Sequence, residues 1–187
     1  HYKACGGCAL QHAREGFVTG WKESVIRQAL AAQGLDAPFH APHISGLHTR
    51  RRATFSGRRL KKGALVGFHA RASDTVASVP DCLILRPELT AALPLLEDLV
   101  TMAGSRKGEM ALSLTLSDVG LDLSVTGGKP LDGPLQATLG QWAGANGLAR
   151  LAWDGEVIAQ AAPPLQTFGR AKVAPPPGAF LRTTADA

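Results

Sequence analysis

The sequence predicts an α+β fold with a largely antiparallel sheet, packed helices and a cysteine-containing loop at its start. Paired segments with alternating apolar residues indicate strands, and segments with apolar residues three and four apart indicate helices. The strand pairs are separated by helices along the chain, a pattern typical of α+β proteins. At 187 residues the chain is long enough to bury a hydrophobic core without disulfide bonds.

The first 14 residues show no periodicity and are predicted to form a loop around Cys5 and Cys8. The apolar residues that follow return at helical spacing. We expect a helix over 19–33, with Thr19 as its N-cap and Gly34 as its end. The apolar positions that indicate this helix are Val18, Trp21, Val25, Ala29 and Leu30.

A basic β-hairpin is predicted over 50–70, where two β-favouring runs flank a turn that contains glycine. Because side chains alternate along a strand, Arg50 and Arg52 are expected on one face and Arg51 on the other. The segments TVASV and CLIL are predicted as short extended pieces.

From residue 86 onward, the spacing of apolar residues predicts a helix, a pair of strands, a second helix and a second pair of strands. The first helix is expected over 86–104, with a kink at Pro94. The segment EMALSLTLSDVGLDLSVTGG alternates apolar and polar residues on both sides of a turn, which predicts a two-stranded ribbon with one buried face. A helix near 131–145 and strands over LARLAW and EVIAQAA complete the prediction, with Trp142 and Trp153 in the core.

The positive charge of the chain is concentrated in one segment. The net charge is +5, yet residues 37–73 carry eight of the 20 Lys and Arg residues and none of the 15 Asp and Glu residues. A block of this kind attracts polyanions, because each phosphate that it neutralises releases condensed counterions. The alternative interpretation is a solvated basic hairpin without a ligand.

The composition of the chain indicates in which cellular compartment we expect the protein. No apolar run reaches the roughly 18 residues that a membrane span needs, and the first residues lack a signal-peptide pattern, so we expect a cytoplasmic protein. Three cysteines, an odd number, indicate metal, redox or structural use rather than a disulfide framework. Because the sequence begins with His1 rather than methionine, we expect it to start inside a longer polypeptide.

The CGGC pair of Cys5 and Cys8, together with Cys82, leaves several interpretations open. Two glycines without side chains between the thiolates leave room for an iron–sulfur cluster. A zinc site would need a histidine in addition to the three cysteines. A redox pair normally lies at a strand-to-helix junction, which this loop does not resemble, and the cysteines could also bind no metal. The candidate zinc-binding histidines are His1, His12 and His69.

Six ordered motifs run along almost the whole chain. They are CGGCALQH over 5–12, the Trp21-Lys22 pair, RRRATF over 50–55, VGF over 66–68, DCLI over 81–84 and PPPGAFL over 175–181. In this order they resemble the S-adenosylmethionine-dependent RNA uracil-5 methyltransferases, particularly the iron–sulfur branch that acts on large-subunit ribosomal RNA. The family usually has Phe-x-Gln in the last motif, where this chain has Phe180-Leu181-Arg182.

The resemblance implies that Cys5, Cys8 and Cys82 are three of the four ligands of a [4Fe–4S] cluster, with the fourth cysteine before His1. It also implies that the cluster has a structural or RNA-orienting role. S-adenosylmethionine and the catalytic residues would belong to a Rossmann-like methyltransferase domain after residue 187. No catalytic residue is expected in this fragment, which alone should be inactive; G-x-G-x-x-G is absent from the sequence.

The resemblance also implies RNA contacts. Arg50 and Arg52 correspond to an R-x-K pair of the family, and Phe180 corresponds to a phenylalanine near the target nucleotide. We therefore expect ribosomal RNA as the partner of a monomer that does not bind membranes. Weaker phosphate contacts are expected from the turn residues Arg58, Arg59, Lys61 and Lys62.

Three parts of the chain are expected. Residues 1–14 form a cluster-binding loop, 15–174 a central RNA-positioning domain, and 175–187 a linker into the methyltransferase domain. Two other functions remain open at this point. One is a noncatalytic RNA-binding module with a zinc or iron–sulfur clip, and the other is a redox protein that uses CGGC.

Overall fold

The computed structural model describes residues 1–186, in which there are four helices and nine strands. In chain order these are α1 (Glu15–Ala32), β1 (Arg52–Arg59), β2 (Ala64–His69), β3 (Val76–Ala77), α2 (Pro87–Ala91), α3 (Leu93–Ala103), β4 (Glu109–Ser117), β5 (Gly120–Thr126), α4 (Gly133–Ala145), β6 (Arg150–Trp153), β7 (Glu156–Gln160), β8 (Gln166–Phe168) and β9 (Ala171–Val173). No helix within this part of the chain combines the length and the apolar character that crossing a membrane requires.

Seven strands form one sheet in the order β3-β2-β1-β4-β5-β6-β7. All neighbours are antiparallel except β5 and β6, which are parallel from Asp122↔Arg150 to Val125↔Trp153. Strands β8 and β9 form a separate hairpin that the sequence analysis missed. The prediction of an α+β fold with a largely antiparallel sheet is therefore confirmed.

The hydrophobic core lies on the face of the sheet that packs against α2, α3 and α4. Along β1 the residues that face this core alternate with polar ones, since Ala53, Phe55 and Gly57 are buried and Thr54 is exposed. The sheet and helix approach so closely at Gly57 that a Cβ there would lie 2.5 Å from Val100 Cγ2. Glycine at this position is therefore a packing requirement.

Helix α1 differs from its prediction at its start. It begins at Glu15, so Thr19 lies inside the helix and the predicted N-cap is wrong. A carboxylate in the first turn is favourable there because it faces the positive end of the helix dipole. The predicted end is correct: Gly34 adopts φ +67° and donates its N–H to Ala31 O at 2.9 Å, while none of the helix residues is buried.

The helix predicted over 86–104 is two helices, α2 and α3, which meet at Ala92. Pro94 lies in the first turn of α3, where its missing N–H leaves no helix hydrogen bond unmade. The proline thus begins a new helix instead of kinking one. The segment CLIL, predicted to be extended, makes only an isolated bridge from Leu85 to Arg50 within the described residues.

The outer face of the sheet carries a buried ion pair between β5 and β6. Arg150 donates from Nε to Asp122 Oδ1 at 2.9 Å and from Nη2 to Asp122 Oδ2 at 2.8 Å. The same Nη2 also donates to Pro175 O at 2.8 Å. The pair therefore fastens the proline-rich segment near the end of the chain to the sheet.

We expect Asp122→Ala to destabilise the fold by about 3–5 kcal/mol, because it leaves the Arg150 charge buried without a partner. Urea denaturation of this chain measures the loss. The matched control is Glu88→Ala, which removes the exposed partner of Arg86 and should cost at most about 1 kcal/mol. Equal losses in the two variants would contradict this role of the buried pair.

Candidate metal centre and nucleic-acid interface

The cysteine loop, residues 1–14, docks on the sheet next to the end of β2. Gly6 donates its N–H to His69 O at 2.8 Å. A Cβ on Gly6 would lie 2.9 Å from that same oxygen and 3.1 Å from Ala70 C, so a larger residue would push the loop away. Cys82 lies in the segment between β3 and α2, with its N–H bonded to Val79 O at 3.3 Å.

The other two thiols lie close enough to Cys8 to influence its ionisation. Burial raises the pKa of Cys8, and the charges of Cys82 and then Cys5 raise it further, whereas Arg50 lowers it. Because such influence falls with distance, the three cysteines and Arg50 lie in one neighbourhood. All three cysteines are half-buried and free of disulfide bonds, and Cys5 and Cys82 pack against the hydrophobic core.

The three cysteine thiols are chemically suited to bind an iron–sulfur cluster. Thiolates are the ligands that such clusters use, and hydrogen bonds to sulfur tune them; here Gly7 N donates to Cys5 Sγ at 3.3 Å. Within residues 1–186 no three Cys, His, Asp or Glu side chains are grouped so as to hold one metal ion. The ligand sulfur atoms of a cluster lie farther apart than those of a single ion, because each iron atom binds its own thiolate.

The histidines considered as zinc ligands have other contacts. His1 Nε2 lies 3.1 Å from Asp81 Oδ1, and the His12 ring lies 5.1 Å from the Tyr2 ring. His69 Nε2 lies 2.8 Å from Glu109 Oε1 and 3.2 Å from Ser56 Oγ. His1 and His69 therefore have their Nε2 atoms engaged within the fold, whereas His12 packs against an aromatic ring.

The first arginine of the basic segment is joined to the chain that follows Cys82. Arg50 N donates to Ile84 O at 3.1 Å, and Arg86 N donates back to Arg50 O at 2.9 Å. These bonds place the segment after Cys82 beside the start of β1. The candidate metal ligands and the arginines therefore occupy one region of the molecule.

Three consecutive arginines, Arg50, Arg51 and Arg52, are half-buried, and none of the ion pairs within residues 1–186 includes them. The Nε atoms of Arg51 and Arg52 are buried and have no hydrogen-bond partner within residues 1–186. The Arg51 guanidinium lies 5.9 Å from the centre of the Phe168 ring. No carboxylate within residues 1–186 neutralises these three charges, so this arrangement favours an anionic ligand.

The other predicted phosphate contacts differ in their availability. Arg58 Nε lies 2.7 Å from Glu109 Oε2, and Arg59 Nη1 donates to Gly104 O at 3.2 Å near the end of α3. Both residues belong to strand β1, so their predicted place on the turn is wrong, and both guanidinium groups are engaged within the fold. Lys61 and Lys62 are exposed on the turn between β1 and β2.

The outer face of β1 presents hydroxyl groups next to the arginines. Thr54 Oγ1 and Ser113 Oγ lie 2.9 Å apart across the β1–β4 pair. A cleft of about 390 Å³ opens between this face and the cysteine loop, lined by Thr54, Ser56, Gly7 and Arg71 among others. The alternation along β1 could have revealed this polar face from the sequence, but the sequence analysis considered only its arginines.

Phe180 is presented to solvent by an anchored segment. Its side chain is 86% exposed, whereas the next residue, Leu181, is 7% exposed. Five residues earlier, Pro175 O is held by the buried Arg150. An exposed ring on a fixed backbone is suited to stacking on an unpaired base.

Comparisons with known proteins relate the whole chain to RNA methyltransferases, although no family model matches it. An uncharacterized RNA methyltransferase of Brucella suis is 35% identical over 187 residues, which are 100% of this chain and 45% of that protein. One of Caulobacter vibrioides is 36% identical over 189 residues, covering 97% of this chain and 46% of that protein. The 23S rRNA (uracil(1939)-C(5))-methyltransferase RlmD of Aromatoleum aromaticum is 30% identical over 153 residues, covering 79% and 35%.

The chain spans less than half of the length of each of these relatives. Its similarity to the first of them nevertheless extends from end to end. On this evidence the chain belongs to the family of these RNA methyltransferases.

Proposed function

We propose that this chain is the cluster-binding and RNA-positioning part of an S-adenosylmethionine-dependent 23S rRNA (uracil-5-)methyltransferase, which methylates C5 of a uridine. The observation that carries the proposal is that the half-buried Arg50, Arg51 and Arg52 have no anionic partner within residues 1–186. Similarity to a relative named as a 23S rRNA uracil-C5-methyltransferase supports the choice of RNA as the missing anion.

RNA would lie along the outer face of β1. Arg50 and Arg52 supply charge for phosphates, and the hydroxyl groups of Thr54 and Ser56 offer hydrogen bonds to the sugar–phosphate backbone. Lys61 and Lys62, on the exposed turn, add weaker attraction. Sequence-specific RNA recognition favours splayed single strands whose bases stack on aromatic rings, which is the role we assign to Phe180.

Cys5, Cys8 and Cys82 would hold three corners of a [4Fe–4S] cluster, with a fourth cysteine supplied from outside residues 1–187. When bound, the cluster would cross-link the N-terminal loop to the segment after β3. Arg50 offsets part of the negative charge of the thiolates, as its lowering of the Cys8 pKa indicates. Cys82 acts in this scheme as a ligand and not as a nucleophile.

Methyl transfer itself would take place in the part of the protein beyond this chain. That part would bind S-adenosylmethionine and supply the cysteine that adds to C6 of uracil, a covalent step that makes C5 nucleophilic. The residues described here orient the RNA and keep the target uridine within reach. Base chemistry of this kind requires the target to be unstacked, and Phe180 would stack on an adjacent base.

We expect Arg50→Ala and Arg52→Ala in the full-length protein each to lower RNA affinity and to reduce the slope of log K against log salt by about one. Each variant removes one cation from the phosphate interface. Filter binding or fluorescence anisotropy at several salt concentrations measures both quantities.

The control variant for this experiment is Arg86→Ala. Arg86 is a neighbour of Arg50, but its guanidinium is already paired with Glu88 at 2.6 Å, so its removal should leave the salt slope nearly unchanged. Unchanged slopes in the Arg50 and Arg52 variants as well would remove both side chains from the proposed interface.

Full-length protein purified without oxygen should contain iron and acid-labile sulfide in equal amounts and absorb visible light in the region typical of iron–sulfur clusters. Cys82→Ser should remove this signal, because it deletes a thiolate ligand. Asp81→Asn, which changes the adjacent exposed side chain, is the control and should retain it. One zinc ion per chain without sulfide would instead support a zinc-clipped RNA-binding module.

A further inference from the structure

The β8–β9 hairpin stands outside the main sheet and has no role in the function proposed above. Its two strands pair only with each other within the described chain, and every residue from Thr167 to Val173 is exposed. A two-stranded hairpin without a core of its own is only marginally stable in water. The position of this hairpin therefore depends on the contacts at its base.

Three hydrogen bonds hold that base against the end of β4 and the turn that follows it. Gln166, which is 2% exposed, donates from Nε2 to Leu116 O at 3.0 Å. Asp118 N donates to Leu165 O at 2.9 Å. Thr167 Oγ1 donates to Asp118 Oδ2 at 2.6 Å. The hairpin thus projects from the sheet in a defined position.

The hairpin presents an aromatic ring to solvent. Phe168 is 45% exposed, and its partner on the opposite strand is Ala171, whose single methyl group is too small to cover the ring. The Arg51 guanidinium lies 5.9 Å from the centre of this ring, within the range of a cation–π contact. An exposed ring beside a guanidinium group is a suitable surface for an unpaired base.

Arg51 connects the hairpin to the segment that carries Phe180. Its N–H donates to Thr183 O at 2.7 Å, three residues after Phe180, while its side chain lies beside Phe168. The backbone and the side chain of one arginine therefore contact the two segments that bear exposed phenylalanine rings. Sites for single-stranded nucleic acid combine cations with several aromatic rings in this way, because successive bases stack on successive rings.

We propose that the β8–β9 hairpin is a second base-stacking platform for single-stranded RNA, in which Phe168 stacks on an unpaired base and Arg51 and Arg170 contact the phosphates beside it. This inference rests on the RNA-binding part of the proposed function. It adds a nucleotide position to the one assigned to Phe180, and it gives Arg51 a role that the Arg50 and Arg52 contacts do not include.

The charge of the hairpin favours RNA as the occupant. Residues 165–173 include Arg170 and Lys172 and no acidic residue, and Arg170 lies exposed at the tip. Among the described residues, Asp118 is the carboxylate that hydrogen-bonds to the hairpin, through Thr167. Because Thr167 and Lys172 are cross-strand partners, they lie on the face opposite to Phe168. The face of Phe168 thus combines an apolar ring with positive charge, which complements a base and its phosphate.

RNA binding by the full-length protein tests the proposal. The probes are a single-stranded RNA oligomer of mixed sequence and the fully paired duplex of the same sequence, measured by fluorescence anisotropy at low salt. Phe168→Leu keeps an apolar side chain but removes the aromatic face, so we expect it to bind the single strand at least about fivefold more weakly. Its affinity for the duplex should not change, because paired bases are not free to stack on the ring. Phe168→Trp should retain the affinity for the single strand.

The matched control is Val157→Ala, which should leave both affinities unchanged. Val157 is 47% exposed, nearly as much as Phe168, but it lies on the edge strand β7, two strands beyond β5. Arg170→Gln removes a proposed phosphate contact and should reduce the slope of log K against log salt by about one. Equal binding of the single strand by Phe168→Leu and the unmodified protein would overturn the platform. An equal loss for single strand and duplex would also overturn it, because the ring would then not act by stacking.

Photocross-linking examines the unmodified protein and needs no variant to fold. An oligomer that carries 5-bromouridine is irradiated in the complex, and the attached peptides are identified by mass spectrometry. We expect a cross-link to the peptide that contains Phe168. The absence of this cross-link, in a complex that cross-links elsewhere, would contradict the proposal.

A methylation assay on 23S rRNA separates this inference from the proposed function. Methylation by the unmodified protein, with single-strand affinity that is the same in Phe168→Leu, overturns the platform alone. Single-strand affinity that depends on Phe168, without methylation, overturns the proposed enzyme and supports the platform as part of an RNA-binding protein. An unmodified protein that binds neither RNA probe overturns both.

Discussion

The antiparallel pairing of β1 with β4 is the constraint on which the candidate site depends. Its register places Phe55 opposite Leu112, so that both side chains enter the core. Because side chains alternate along a strand, burying Phe55 forces Thr54 and Ser56 to the opposite face. A shift of one residue would turn the hydroxyl groups inward and Phe55 outward, at a large cost in burial. The hydrophobic core thus fixes the polar surface proposed for RNA.

Polar contacts fasten both ends of the described chain to the sheet. The N-terminal loop is attached through Gly6 and His69, and the proline-rich segment through Pro175 and the Arg150–Asp122 pair. Buried apolar groups support both attachments, because Cys5 packs against the hydrophobic core and Leu181 is 7% exposed. The cysteine loop and the ring of Phe180 are therefore held in defined positions relative to the sheet.

Local patterns in the sequence predicted the ribbon of β4 and β5, because apolar and polar residues alternate strictly from Met110 onward. Such alternation is typical of strands with one buried face. They could not locate the start of α1, because Thr19 carries a capping hydroxyl whereas Arg14, which precedes the helix, makes no side-chain capping bond. Spacing also could not show that Trp21 is exposed, since apolar periodicity identifies a face but not what covers it. The unpartnered Nε atoms of Arg51 and Arg52 depend on long-range packing and leave no local signal.

The proximity of cysteines and arginines follows from electrostatics. Burial and the neighbouring Cys82 and Cys5 raise the pKa of Cys8, so three adjacent thiolates are unfavourable without compensating positive charge. Arg50 opposes this shift, and it has no carboxylate partner within residues 1–186 that would weaken its effect. The positive charge proposed to attract phosphates would therefore also favour deprotonated thiols. This links the proposed metal ligands to the proposed RNA contacts on one surface.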